Sequence, residues 1–333
     1  MESQTVAGAG PGTVRLGTGA HTYEVVPSWG ELPDGWDLDD VAGVAVDAGD
    51  RVYVFNRGEH PMVIFGRDGE FLGSWGEGMF PHAHGAFLAP DQTLYCTDDG
   101  SHTMTRHTLD GGLLLRIGLP GEPASFHSGR PFNRCTHTAL SPAGDIYVSD
   151  GYGNAQVHKF APDGRLLLSW GRSGIGPGEF NLPHNIVCDA DGWVYVADRE
   201  NHRIQVFDGD GHYETTWHDV VHRPCALYQA PGPAGDFLVG ELGPTLNFSR
   251  GAPNLGPRLS VLDRRGRLIT RLEVTPAMGL GPGQFISPHG LATDSRGDIY
   301  VGEVSVTGWP QLFPDEPMPR PVRGLQKLVR VGG

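Results

Sequence analysis

Cysteine is scarce: Cys96, Cys135, Cys188 and Cys225 are the four in 333 residues, and none form a C-x-x-C pair. That scarcity argues against a disulfide framework or a cysteine-built zinc ribbon. It fits reduced, mostly buried thiols in a cytoplasmic protein. No apolar run approaches the length of a membrane span, and the opening MESQTVAGAGPGTVRLGTG has neither a basic n-region nor an apolar h-region. Basic clusters are missing too. With a formal net charge of −14 and no Lys/Arg run, the chain excludes a nucleic-acid or anionic-membrane surface. The partner left by these absences is a small molecule or a short peptide-like substrate, neutral or locally compensated in charge. Oligomeric state has no signal in the sequence.

What is abundant is turn chemistry. Glycine (50) and proline (27) make up nearly a quarter of the chain beside 38% hydrophobic residues, a balance that suits many short strands rather than disorder. Aligned on a strand aromatic, the segments GDRVYVFN, DQTLYCTD, GDIYVSD, DGWVYVAD, GDFLVGE and GDIYVGE recur six times between residues 49 and 303. Their spacing is roughly the 40–50 residues of one propeller blade. Each follows an apolar-rich strand such as GVAVD or NIVCD; most precede a third strand and a fourth such as FLGSWG or LLLSWG, with Asp-Gly hairpin turns between. The pattern predicts an all-β, six-bladed β-propeller over 21–333, preceded by a flexible segment, 1–20. LQKLVRV, 325 to 331, supplies a third strand to the last blade, and YEVVPSWG, 23 to 30, its fourth, so the N- and C-terminal strands close the ring in one blade. Residues 304–323 and 242–257 read as insertions in blades six and five.

Three stretches repeat a histidine ahead of an apolar run: FPHAHGAF, FNLPHNIV and ISPHGLAT. Counting back eleven residues from Tyr95, Tyr195 and Tyr300 reaches His84, His184 and His289; the same count from Tyr53 and Tyr147 reaches Ala42 and Thr136, and Cys225 takes the place in blade five. The histidines therefore belong to blades two, four and six, about a third of a turn apart on the strands that line the channel. Three imidazoles converging on one axis match the His₃ set of a catalytic zinc site with an open fourth position; copper, nickel and iron also accept imidazole. His82, two residues before His84, is a rival ligand. At the same end of the channel the loops after the second strands carry Tyr152 in blade three, Arg199 in blade four and Arg57 in blade one. A guanidinium and a dication both favour a phenolate, and arginine grips carboxylates, so this set predicts proton abstraction from an anionic hydroxylated substrate.

VSDGYGNAQVHKF, SWGRSGIGPGEFNLPHNIV and VADRENHRIQVF closely resemble the lyase domain of peptidylglycine amidation, peptidyl-α-hydroxyglycine α-amidating lyase, itself a six-bladed propeller of NHL repeats. The resemblance runs from about Val44 to Val301 and is densest between 144 and 207. It implies a zinc on His84, His184 and His289, a catalytic tyrosine at Tyr152 and active-site arginines at Arg57 and Arg199. It also implies cleavage of the C–N bond of a carbinolamide to an amide and an aldehyde, glyoxylate in the family case. The sequence departs from the family at several places. Gly290 stands where the family has the aspartate of a structural calcium site, so calcium is not expected. Ser287 replaces a pocket methionine, Gly153 a disulfide cysteine, and His137 an aspartate. No copper-monooxygenase domain is expected to be fused to the propeller. A hydrolase or another eliminating enzyme on a small hydroxylated or amide substrate, or a non-catalytic NHL interaction scaffold, is the alternative. A lactonase-type propeller lacks support, because no carboxylate and asparagine cage for calcium is present.

Overall fold

The computed structural model describes residues 13–232 and 234–332. Within them the chain forms six antiparallel sheets, five of four strands and one of five, arranged as a six-bladed propeller. Each inner strand is followed by the strand carrying the repeated aromatic, as in Val41–Val46 with Val52–Asn56 and Pro183–Cys188 with Val194–Asp198. Tyr23–Val26 pairs with Leu325–Arg330, so the two ends of the chain complete one blade as expected. Of the 1–20 segment, residues 1–12 lie outside the described residues. Arg15–Leu16 adds a fifth strand to the closing blade, with Leu16 buried against Leu272 and Phe285.

The hydrophobic core sits between blades, because a single sheet has no second layer of its own to bury against. One cluster joins Tyr53, Phe55, Met62 and Trp75 of blade one to Ala83, Ala86, Leu94 and Cys96 of blade two, and the same arrangement recurs round the ring. The SWG tryptophans and Asp-Gly turns of the sequence meet at these seams. A Cβ at Gly111 or Gly211 would lie 2.8 or 2.6 Å from Trp75 or Trp170 of the preceding blade, and both glycines have positive φ. All four cysteines are free, and no helix among the described residues is long and apolar enough to cross a membrane. The insertion at 304–323 contains the single α-helix of the described residues, α1 (Ser305–Leu312).

Candidate active site

Every inner strand slips by one residue against its neighbour at the same level. The slips fall between Val41 and Gly43, Ala83 and Gly85, Cys135 and His137, Pro183 and Asn185, Pro224 and Ala226, and Pro288 and Gly290. The residue left unpaired is Ala42, His84, Thr136, His184, Cys225 or His289. A bulge re-aims its side chain, and in blades two, four and six that side chain is an imidazole. The three rings meet with centroids 4.7–4.8 Å apart, and one nitrogen from each lies within 4.8 Å of the others.

The other three bulges hold the rings in place. Nδ1 of His84 donates to the Thr136 carbonyl, Nδ1 of His184 to that of Cys225 and Nδ1 of His289 to that of Ala42, each at 2.7 Å. A carbonyl only accepts, so Nδ1 carries the hydrogen and Nε2 keeps its lone pair. All three rings are buried, which keeps them neutral. Burial, joined by Arg57, Arg199 and the neighbouring rings, holds His84 and His184 well below the usual histidine range and His289 at about 3. A histidine whose folded pKa is depressed gives its full stability above the unfolded value, ~6.5, and loses it as pH falls through that value. Chelator-treated protein is therefore expected to lose stability between pH 7 and pH 5, measured by urea unfolding at the two pH values. Equal stability at both would contradict buried neutral rings.

Tyr152 closes the trio from above, its hydroxyl 3.1 Å from Nε2 of His84 and 3.0 Å from Nε2 of His184. Its flanking glycines let the loop pack this closely: a Cβ at Gly151 would meet the Pro183 carbonyl at 2.2 Å, and one at Gly153 the Asn133 side chain at 2.0 Å. The Arg134 guanidinium lies over the phenol ring at 4.5 Å and that of Arg199 at 5.7 Å. In the protein alone the phenol pKa is raised. Burial pushes it up more than Arg199 and Arg57 pull it down.

Arg57 donates from Nε to the Ala83 carbonyl at 3.0 Å and from Nη1 to Asp40 at 3.0 Å. Arg199 opens a single 3₁₀ turn, Arg199–Asn201, and donates from Nε to Glu200 at 2.8 Å. Among the described residues, Nη2 of Arg57 and both terminal nitrogens of Arg199 have no protein oxygen as acceptor. Both arginines line a cavity of 340 Å³ with Tyr152 and His289. The structure thus brings together all six residues singled out from the sequence, and it separates the rivals. His84 is in the trio, whereas His82 stands on the cavity rim with Nδ1 on Asp99 at 2.5 Å. Ser287 is at the wall where the family's methionine was expected.

Two further arginines in the cavity escaped the sequence reading. Arg134 bonds Asp99 at 2.6 and 2.9 Å, and Arg223 bonds Glu200 at 3.0 and 3.2 Å. Both stand two residues before a bulge, a position that counting from the repeated aromatic would have reached. Four guanidiniums against Asp40, Asp99 and Glu200 leave a positive surplus in a chain of net charge −14.

The donor set fits a dication such as zinc: three neutral imidazoles with unprotonated Nε2 atoms, oriented by carbonyls behind them. The level below does not fit calcium. One residue past the bulges stand Gly43, Gly85, His137, Asn185, Ala226 and Gly290, with no carboxylate among them, and a Cβ at Gly290 would lie 2.8 Å from the Val44 backbone nitrogen.

Residues 180–207, the segment with His184 and Arg199, match the NHL repeat. The chain is 31% identical over 280 residues to NHL repeat-containing protein 3 of Homo sapiens, covering 78% of this chain and 76% of that one. It belongs to the NHL-repeat family. The chain is also similar to peptidyl-alpha-hydroxyglycine alpha-amidating lyase 1 of Drosophila melanogaster, 28% identical over 69% of this chain and 44% of the relative. A streptogramin B lyase structure superposes on this NHL propeller with a TM-score of 0.57 at 12% identity, covering 88% of this chain and 94% of that one, which is a likeness of fold.

Proposed function

We propose that this protein is a metal-dependent lyase, with zinc as the metal, that cleaves the C–N bond of an α-hydroxylated amide. The observation that carries this reading is the convergence of three Nε2 lone pairs beneath the Tyr152 hydroxyl, with the free nitrogens of Arg57 and Arg199 beside them. Relatives named as α-hydroxyglycine amidating lyases support the reaction type.

His84, His184 and His289 would hold the ion. When bound, it supplies Lewis acidity to the substrate hydroxyl and a positive field that favours the phenolate of Tyr152. The chain's own residues do the rest. Arg57 and Arg199 grip the substrate carboxylate and fix the carbinol carbon near the phenol oxygen. Tyr152 takes the hydroxyl proton. The electron pair left on that oxygen forms the C=O bond of the aldehyde, the C–N pair leaves with nitrogen, and Tyr152 returns its proton there. An amide and an α-oxo acid result, with no atom gained or lost. The surplus positive charge of the cavity supports an anionic substrate, and the four free thiols support a reducing, cytoplasmic setting.

The test is direct. Zinc-loaded protein incubated with a synthetic N-acyl-α-hydroxyglycine is expected to release the acyl amide and glyoxylate in equal amounts, read by chromatography. Release no faster than in buffer refutes the lyase reading. It would favour the alternative of a binding scaffold, for which the family relative whose name carries no activity is the supporting observation.

A further inference from the structure

The carboxylate of Asp40 lies buried behind Arg57 and Thr307 of the cavity lining, two residues before the bulge of blade one. It has four partners. Oδ2 accepts from Nη1 of Arg57 at 3.0 Å and from the Thr307 hydroxyl; Oδ1 accepts from the backbone N–H groups of Val306 at 2.8 Å and Thr307 at 3.1 Å. The last two are orphan donors of the first turn of α1, whose own N-cap residue, Val304, provides no side-chain bond. A carboxylate from 266 positions away in the chain therefore caps the helix. Thr307 also approaches Arg57 directly, its hydroxyl 3.4 Å from Nη1.

α1 forms one wall of the cavity. Thr307, Gly308, Gln311 and Leu312 line it together with Tyr152 and Arg134. The rest of the helix is pinned by Trp309, which is buried in one cluster with Ile286 and Leu312. Asp40 thus holds two things with one group: the guanidinium that faces substrate and the helix that shapes the pocket.

We propose that Asp40 is a positioning residue that couples α1 to Arg57, so that the closing-blade insertion sets both the pocket wall and the orientation of the anion-binding arginine. Neither moves alone. If α1 withdraws, Arg57 loses the carboxylate geometry that aims Nη2 into the cavity; if Asp40 is removed, the first turn of α1 loses its cap. The kinetic part of this proposal rests on the lyase reading, while the coupling itself does not.

The test uses full-length, metal-loaded protein and four forms: wild type, Asp40→Asn, Asp40→Ala and Thr307→Val. Amide hydrogen exchange is followed across the chain, and kcat and KM are measured with an N-acyl-α-hydroxyglycine. Asp40→Ala is expected to speed exchange over 305–312 by about tenfold or more while the blade strands keep their protection. Thr307→Val, which leaves the carboxylate in place and removes one hydroxyl, shifts the same segment less. Asp40→Asn keeps an acceptor for the helix but not the charge that holds Arg57. It is therefore expected to spare most of the exchange protection yet raise KM by about 10- to 100-fold with a smaller change in kcat. That split is one a general loss of stability would not produce. Unchanged exchange over 305–312 in Asp40→Ala overturns the proposal, as does a fall in kcat with unchanged KM in Asp40→Asn. If the wild type turns over no carbinolamide, the lyase reading fails and the exchange experiment alone decides the coupling.

Discussion

Replacing His84, His184 and His289 together by alanine is expected to abolish metal binding. The wild-type chain should carry about one zinc after dialysis against metal-free buffer, as a three-imidazole catalytic site does, and the triple variant none, by elemental mass spectrometry. The effect is large because the three nitrogens form a single binding unit. Each ring is already neutral and already oriented by its Nδ1 bond, so little reorganisation opposes binding, and among the described residues no carboxylate joins the cluster to replace a lost ligand. His82 is the nearest substitute in sequence, but its Nδ1 is held by Asp99, which Arg134 also holds. Single substitutions should weaken zinc by about 10-fold or more, judged by competition with a chromophoric chelator. Zinc retained at full stoichiometry in the triple variant would remove the histidines from any metal chemistry.

The second large effect is expected at Tyr152. Tyr152→Phe keeps the ring that Arg134 and Arg199 stack against and removes one oxygen, so the pocket keeps its shape. Loss of a general base costs about 10²–10⁴ in kcat, while zinc content should stay at the wild-type level. Both halves matter: activity lost together with the metal would mean that the hydroxyl only helps to order His84 and His184, whose Nε2 atoms it touches. Unchanged kcat would take the tyrosine out of the mechanism.

The sequence revealed the parts of this molecule whose physics is local and repeated. Strand alternation, Asp-Gly turns and the spacing from each aromatic gave the six blades, and that same count located His84, His184 and His289 because a bulge at a fixed level is inherited by every copy. The Nδ1 acceptors could not be found this way, since a backbone carbonyl at Thr136, Cys225 or Ala42 leaves no mark on residue type. Helix α1 was hidden for a related reason. It has Pro310 inside it and no capping side chain of its own, and its cap comes from Asp40 at the other end of the chain. The strand at Arg15–Leu16 is two residues long, too short to show any period. The burial that raises the Tyr152 phenol in the protein alone was not legible either, because nearby charges can be guessed from sequence, whereas burial cannot.

One bond among the three that orient the histidines has a different standing. His289 belongs to the closing blade and its acceptor, Ala42, to the first, so this contact spans 247 positions and lies on the seam where the circle is joined. A nascent chain that has made five blades can set His84 on Thr136 and His184 on Cys225, but it has no third imidazole in place until the final blade docks. The three-histidine cluster is therefore complete only once the ring is closed. A molecule lacking the closing blade would present two of the three imidazoles, and only the closed ring presents all three.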